Sequence, residues 1–297
     1  MSRKGRPDGR KRQVSQSLRE YARGLAGGLL FSLPLLYTME VWWAGFTARP
    51  PRLLGYFLVG FLLLFAYNRY SGLRRDASWL EVAFEAFEEM GLGLLLSALM
   101  LWLLGQIQTD MTMSEIVGKV VVEGVTAAIG ISVGSAQLGG SGNGDDDQGM
   151  GGGKGEKDEP DTGLAAQIAL AACGAILFAS NVAPTEEIVM IAAEASRWKV
   201  LGLSLISLGL CALVLFHSGF RGSDELIPKK DQGWIAMLSR TAMNYAVALA
   251  ASAFILWFFG RFTGMSAAAC LAQTVVLGVA GALGASAGRL LLQSPSS

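Results

Sequence analysis

The 297-residue chain is 52% hydrophobic and only 16% charged, with a mean hydropathy of +0.43, whereas an ordinary soluble domain is about 25% charged. Lys/Arg and Asp/Glu balance at 24 each, so the net charge by itself points to no nucleic-acid or acidic partner. Such a composition excludes a typical water-soluble domain and leaves a chain whose main partner is the lipid bilayer.

A helix needs about 20 apolar residues to cross a hydrocarbon core about 30 Å thick. Eight such runs recur, at 24–46, 53–71, 84–105, 116–138, 164–182, 200–219, 239–260 and 266–291. They predict an all-α polytopic membrane bundle. The first 23 residues carry eight Lys/Arg, Arg3, Lys4, Arg6, Arg10, Lys11, Arg12, Arg19 and Arg23, and read as a basic tail that holds the N-terminus in the cytoplasm. A patch for anionic lipid or nucleic acid is the competing reading. With that orientation 17 Lys/Arg fall on the cytoplasmic side and five, Arg49, Arg52, Arg197, Lys199 and Arg261, on the other. The bias predicts both termini inside and a multi-pass location in the inner (plasma) membrane.

The first apolar run holds Pro34, Thr38 and Glu40. Around the start of the third lie Glu81, Glu85, Glu88 and Glu89, which include pairs at spacing four and make an acidic stripe. In the fourth, Glu115, Lys119 and Glu123 recur every fourth residue, and such charges are costly in lipid, so a re-entrant or interfacial helix competes with a crossing there. Residues 139–163 are rich in Gly, Asp and Lys and cannot bury a core, which predicts a flexible linker. Its Asp145, Asp146 and Asp147 read as a solvated run and not as a metal site. Cys173, Cys211 and Cys270 lack paired spacing, and His217 is the single histidine, so neither a disulfide or metal set nor a conventional triad is expected. No cofactor is expected.

Shifting the sequence by 147 residues aligns Leu30, Phe31, Thr38 and Glu40 with Leu177, Phe178, Thr185 and Glu187, then Leu54, Gly55 and Leu58 with Leu201, Gly202 and Leu205. After Arg221 the shift becomes 155, aligning Asp76, Trp79, Trp102 and Gly105 with Asp231, Trp234, Trp257 and Gly260. The last helices share a glycine pattern, Gly130, Ser132 and Gly134 against Gly284, Ser286 and Gly288. The reading is two parallel four-helix repeats, 24–138 and 164–291, related by a pseudo-two-fold axis along the membrane normal. The tryptophan pairs stand 23 residues apart, about 34 Å of helix, which puts one ring in each interfacial belt. The small residues of the last helices are expected to pack the two repeats together.

Within this frame the candidate site is an ion pathway. Glu40 and Glu187 follow Thr38 and Thr185 by two residues, and Pro34 and Pro184 break the same helices, freeing carbonyls. Proline-broken segments in corresponding places of two halves are a sequence pointer to a transport site. Asn181, Thr185, Glu186 and Glu187 add hard oxygen ligands suited to a proton or a small cation. A hydrated or kink-capping glutamate near the aromatic belt is the plainer reading of Glu40. Glu85 aligns with Arg240, and an inter-repeat ion pair, a hydrated vestibule or an interfacial face would each account for it. The expected function is a channel or transporter for a small cation or proton. A glutamate-dependent intramembrane enzyme and a non-catalytic assembly or sensory subunit are the alternatives. A second copy of the chain is a further partner this reading allows.

The segment from Phe31 to Glu40, its echo from Phe178 to Glu187 and the overall size resemble a family of bacterial integral membrane proteins known as a domain of unknown function. The resemblance covers most of residues 24–291. It implies about seven membrane segments, one fewer than the eight read here, and no activity, cofactor or site residue.

Overall fold

The computed structural model describes residues 9–71, 78–139, 164–217 and 234–291. The linker over 140–163 therefore lies outside the described residues, as does most of the loop that carries the change in shift. All the regular structure described is α-helical: α1 (Gly9–Leu36), α2 (Met39–Thr47), α3 (Pro50–Ser71), α4 (Trp79–Leu103), α5 (Met113–Gly139), α6 (Leu164–Val182), α7 (Glu187–Glu194), α8 (Arg197–His217), α9 (Trp234–Phe258) and α10 (Ala267–Leu291). Seven of these are long and apolar enough to cross a membrane, and the bent pair Tyr21–Leu36 and Met39–Thr47 makes an eighth if counted as one span.

The first expected crossing is where sequence and structure differ most. The helix continues two residues past Pro34, stops at Leu36, and resumes at Met39 turned by 87°. Pro34 cannot donate a backbone bond, and the bend is fixed by donors that take up the exposed carbonyls. The Thr38 hydroxyl donates to the Pro34 carbonyl at 2.7 Å, the Thr38 N–H to Leu35 at 2.9 Å, and the Trp42 indole to Leu36 at 3.2 Å.

The fourth run is a helix of crossing length, and its apolar stretch is 78% buried, the largest share among the seven. Its charges have separate explanations. Glu115 belongs to a capping box: its Oε2 accepts from the Thr112 N–H at 2.9 Å, and its own N–H donates to the Thr112 hydroxyl at 3.4 Å. Lys119, 6% exposed, donates to the Gln106 carbonyl at 2.9 Å. Glu123 is fully buried.

In both halves the helices occur in the same order, and several details recur. α4 and α9 begin and all but end on tryptophans, Trp79 and Trp102, Trp234 and Trp257. Each is closed by a glycine at φ near +70°, Gly105 at 71° and Gly260 at 73°. The following bonds are the same too: Gly105 to Trp102 and Gln106 to Leu101, against Gly260 to Trp257 and Arg261 to Leu256. This is the Schellman ending, in which glycine is favoured because a Cβ is strained at positive φ.

The glycine stripe packs inside each half and not between halves as expected. α1 crosses α5 where Gly27 lies against Gly130 and Gly134, and α6 crosses α10 where Gly174 lies against Gly284 and Gly288. Both crossings bring backbone to backbone, which only residues without bulky side chains allow. Between the halves, α6 packs on α3, α5 and α1, while the corresponding pair α1 and α8 makes no comparable contact. The interface is thus one-sided where an exact two-fold would be matched. Tyr56 of α3 reinforces it by stacking on Phe258 of α9, with ring centroids 4.1 Å apart.

These contacts also set the helix directions. Gly24 meets Ser135, Gly28 meets Ile131, and Gly288 meets Leu170, so the start of α1, the ends of α5 and α10 and the start of α6 share one end of the bundle. Below, this is the termini end, and the opposite one is the far end.

Candidate functional site

Glu40 lies in the first turn of α2 and Glu187 opens α7, at the far end. The two half-helices pack on different partners, α2 on α5 and α7 on α10. Glu40 is half-buried; Glu186 and Glu187 are exposed.

The carbonyls around the second break are taken up by protein donors, as at the first. Arg261 donates to the Pro184 carbonyl, Thr185 to Val182 at 3.0 Å, and Asn181 to Leu177 at 2.6 Å and to Phe31 of α1 at 3.3 Å. Asn181 thereby ties α6 to α1. Thr38, Thr185 and Asn181 work as hydrogen-bond donors here, so the bends are capped locally.

The Glu187 carboxyl is held below the usual glutamate range, first by its own backbone N–H, then by the Thr185 hydroxyl, with some attraction from Arg261. A depressed carboxyl contributes to the folded state above the unfolded value and loses that contribution as pH falls through the folded one. The first turn of α7 is therefore expected to hold at neutral pH and loosen in acid. In a side-chain ¹³C titration Glu187 should titrate below ordinary glutamates, and Thr185→Ala should move it back up. Coincidence with ordinary glutamates would remove the cap.

Inside the bundle, at the termini end, lies a second polar group. Asn68 of α3, buried, donates from Nδ2 to Glu89 Oε2 of α4 at 2.7 Å, and its Oδ1 accepts from the Ser132 hydroxyl of α5 at 2.8 Å. At the aligned positions of the second half, Asn244 donates to Ser286 at 2.8 Å. The acid of one half is an amide in the other. The rest of the stripe points elsewhere: Glu81 caps α4 with Ser78, and Glu88 accepts from Tyr21. Glu85 and Arg240 are half-buried on α4 and α9, helices whose main partners are α5 and α10. Among the described residues no three His, Cys, Asp or Glu side chains converge as a metal site would need.

Sequence reading named Glu89 only as one member of a stripe and passed over Asn68. A single amide near the end of an apolar run carries no periodic signal, although the shift of 155 that pairs Glu85 with Arg240 also pairs Glu89 with Asn244.

Apolar helices of crossing length, exposed Leu, Phe and Trp along their flanks, and acids enclosed between them define a polytopic α-helical membrane protein. The chain belongs to the family described as "Putative integral membrane protein (DUF2391)", a domain of unknown function, whose model matches residues 20–292. No curated protein and no solved structure matches it.

Proposed function

We propose that the protein conducts or transports a proton or small cation. The reading is carried by Glu89, an acid within a spanning helix, hydrogen-bonded to Asn68 and through it to Ser132. Ionisable side chains within membrane helices are costly and are generally found on ion or proton pathways. Glu40 and Glu187 serve as carboxylates at the far mouth, with Asn181, Thr185 and Glu186 around the second break. In this reading the two halves are duplicated units of four helices. The shared Schellman endings, tryptophan placement and glycine crossings support that. Both termini face the cytoplasm, in keeping with the 17 to five distribution of Lys/Arg.

The test is ion flux in proteoliposomes with H⁺, Na⁺, K⁺ and Ca²⁺ gradients. Wild type is expected to carry one of these, Glu89→Gln to carry none, and the Glu40→Gln/Glu187→Gln double variant to lose most of it. Equal flux in wild type and Glu89→Gln would remove Glu89 from the pathway. An inactive wild type would overturn the transport reading.

A further inference from the structure

We infer that Glu123, with the hydroxyls of Tyr56, Thr126 and Ser180, is a binding site for one monovalent cation, a proton or an alkali ion, at the seam between the two halves. Glu123 lies about 15 Å along α5 from its far-end start, so the site is near mid-membrane. The residue is 0% exposed, and neither carboxylate oxygen has a hydrogen-bond partner. Thr126, one turn on, lies on the same face of α5. Its hydroxyl is 3.1 Å from the Tyr56 hydroxyl of α3, the Ser180 hydroxyl of α6 lies beside that of Tyr56, and Glu123 is within electrostatic reach of the same ring. Hydroxyls from three helices therefore meet at Tyr56, on the face of α5 that carries an enclosed carboxyl whose oxygens have no hydrogen-bond partner.

The neighbouring elements supply no cation to replace the one inferred. Lys119, one turn earlier on α5, is committed to the Gln106 carbonyl and Met111 sulfur. α3 carries Tyr56, Tyr67 and Tyr70 and two arginines engaged elsewhere, Arg52 over the Trp257 ring and Arg69 over the Trp79 ring; α4 carries Glu81, Glu85, Glu88 and Glu89, the last held by Asn68; α6 carries Cys173, which donates to the Leu63 carbonyl. Glu40 of α2 lies at the far end, and residues 24–36 of α1 contain no titratable side chain. A buried charge without a partner costs several kcal/mol, and a single carboxylate calls for a single positive charge. The absence of converging acids among the described residues fits a monovalent and not a divalent occupant.

The site does not depend on transport, and its test reads the carboxyl directly. Infrared difference spectra of the full-length protein in liposomes, wild type minus Glu123→Gln, would be recorded with and without Na⁺, with Glu123→Leu as a second subtraction if the glutamine variant fails to fold. A carbonyl band that shifts in D₂O identifies the proton as occupant. A carboxylate band that responds to Na⁺ identifies the alkali ion. A carboxylate band indifferent to Na⁺ and to pH would overturn the assignment, because the protein itself would then be balancing the charge. Either supporting band in a protein without flux would sink the transport reading and leave this site standing.

Discussion

Gly174→Val is expected to cost about 3 kcal/mol or more, at or above the upper end of typical overpacking penalties, and to leave little folded protein. A Cβ at Gly174 would overlap the Gly284 carbonyl oxygen and come within 2.8 Å of the Gly288 Cα. Both are backbone atoms of α10, so no rotamer change relieves the clash and the two helices must separate along the crossing. The loss then spreads beyond one side chain, because close packing is the main attraction between helices in lipid. Gly202 of α8 is the control: a Cβ there meets nothing within 4 Å, and Gly202→Ala should gain about 0.5–1 kcal/mol from reduced backbone freedom. Thermal unfolding in detergent micelles, with gel filtration for monodispersity, separates the two. A Gly174→Val protein that melts with wild type would refute the α6–α10 crossing.

Asn68→Leu should be the next most damaging change. The amide serves two clients at once, Glu89 and Ser132, and a leucine of similar size leaves both without it. Leaving a buried hydrogen-bonding group unmet costs about 1–3 kcal/mol, and with two groups affected a loss of about 2–3 kcal/mol is expected. Replacing every partner with apolar groups can be close to neutral, so Asn68→Leu/Glu89→Leu/Ser132→Ala should recover most of the stability and, on the proposed transport reading, carry no ions. Unfolding midpoints and flux together decide it. A triple variant no more stable than Asn68→Leu would show that the polar group contributes through something other than its internal bonds.

The extent to which this was legible beforehand follows from what hydrophobic patterning encodes. A run of about 20 apolar residues marks a spanning helix whatever its neighbours, so seven of the eight runs appear as helices of crossing length. The pairing of Gly105 with Gly260 was readable because positive φ restricts residue type. The bend at Tyr37–Thr38 was not: Pro34 announced a disturbance, but its size depends on donors from Thr38 and Trp42. Glu115 and Lys119 looked like charges out of place in lipid, and only the contacts reveal one as a helix cap and the other as a carbonyl donor. For the glycines, composition gave the close approach but not the partner. That depends on which helices become neighbours, and local spacing does not say.

The capped elbow between α1 and α2 has a mechanical consequence. Straightening it would exchange the Thr38 N–H bond to Leu35 and the Trp42 indole bond to Leu36 for ordinary helical bonds, and would lift α2 off α5. The packing of α2 on α5 thus makes the elbow a lever and not a free hinge. At its tip Gly45 presses backbone to backbone on Gly118 and Lys119 of α5, so a force applied near Glu40 is passed on to α5 instead of being absorbed at the bend.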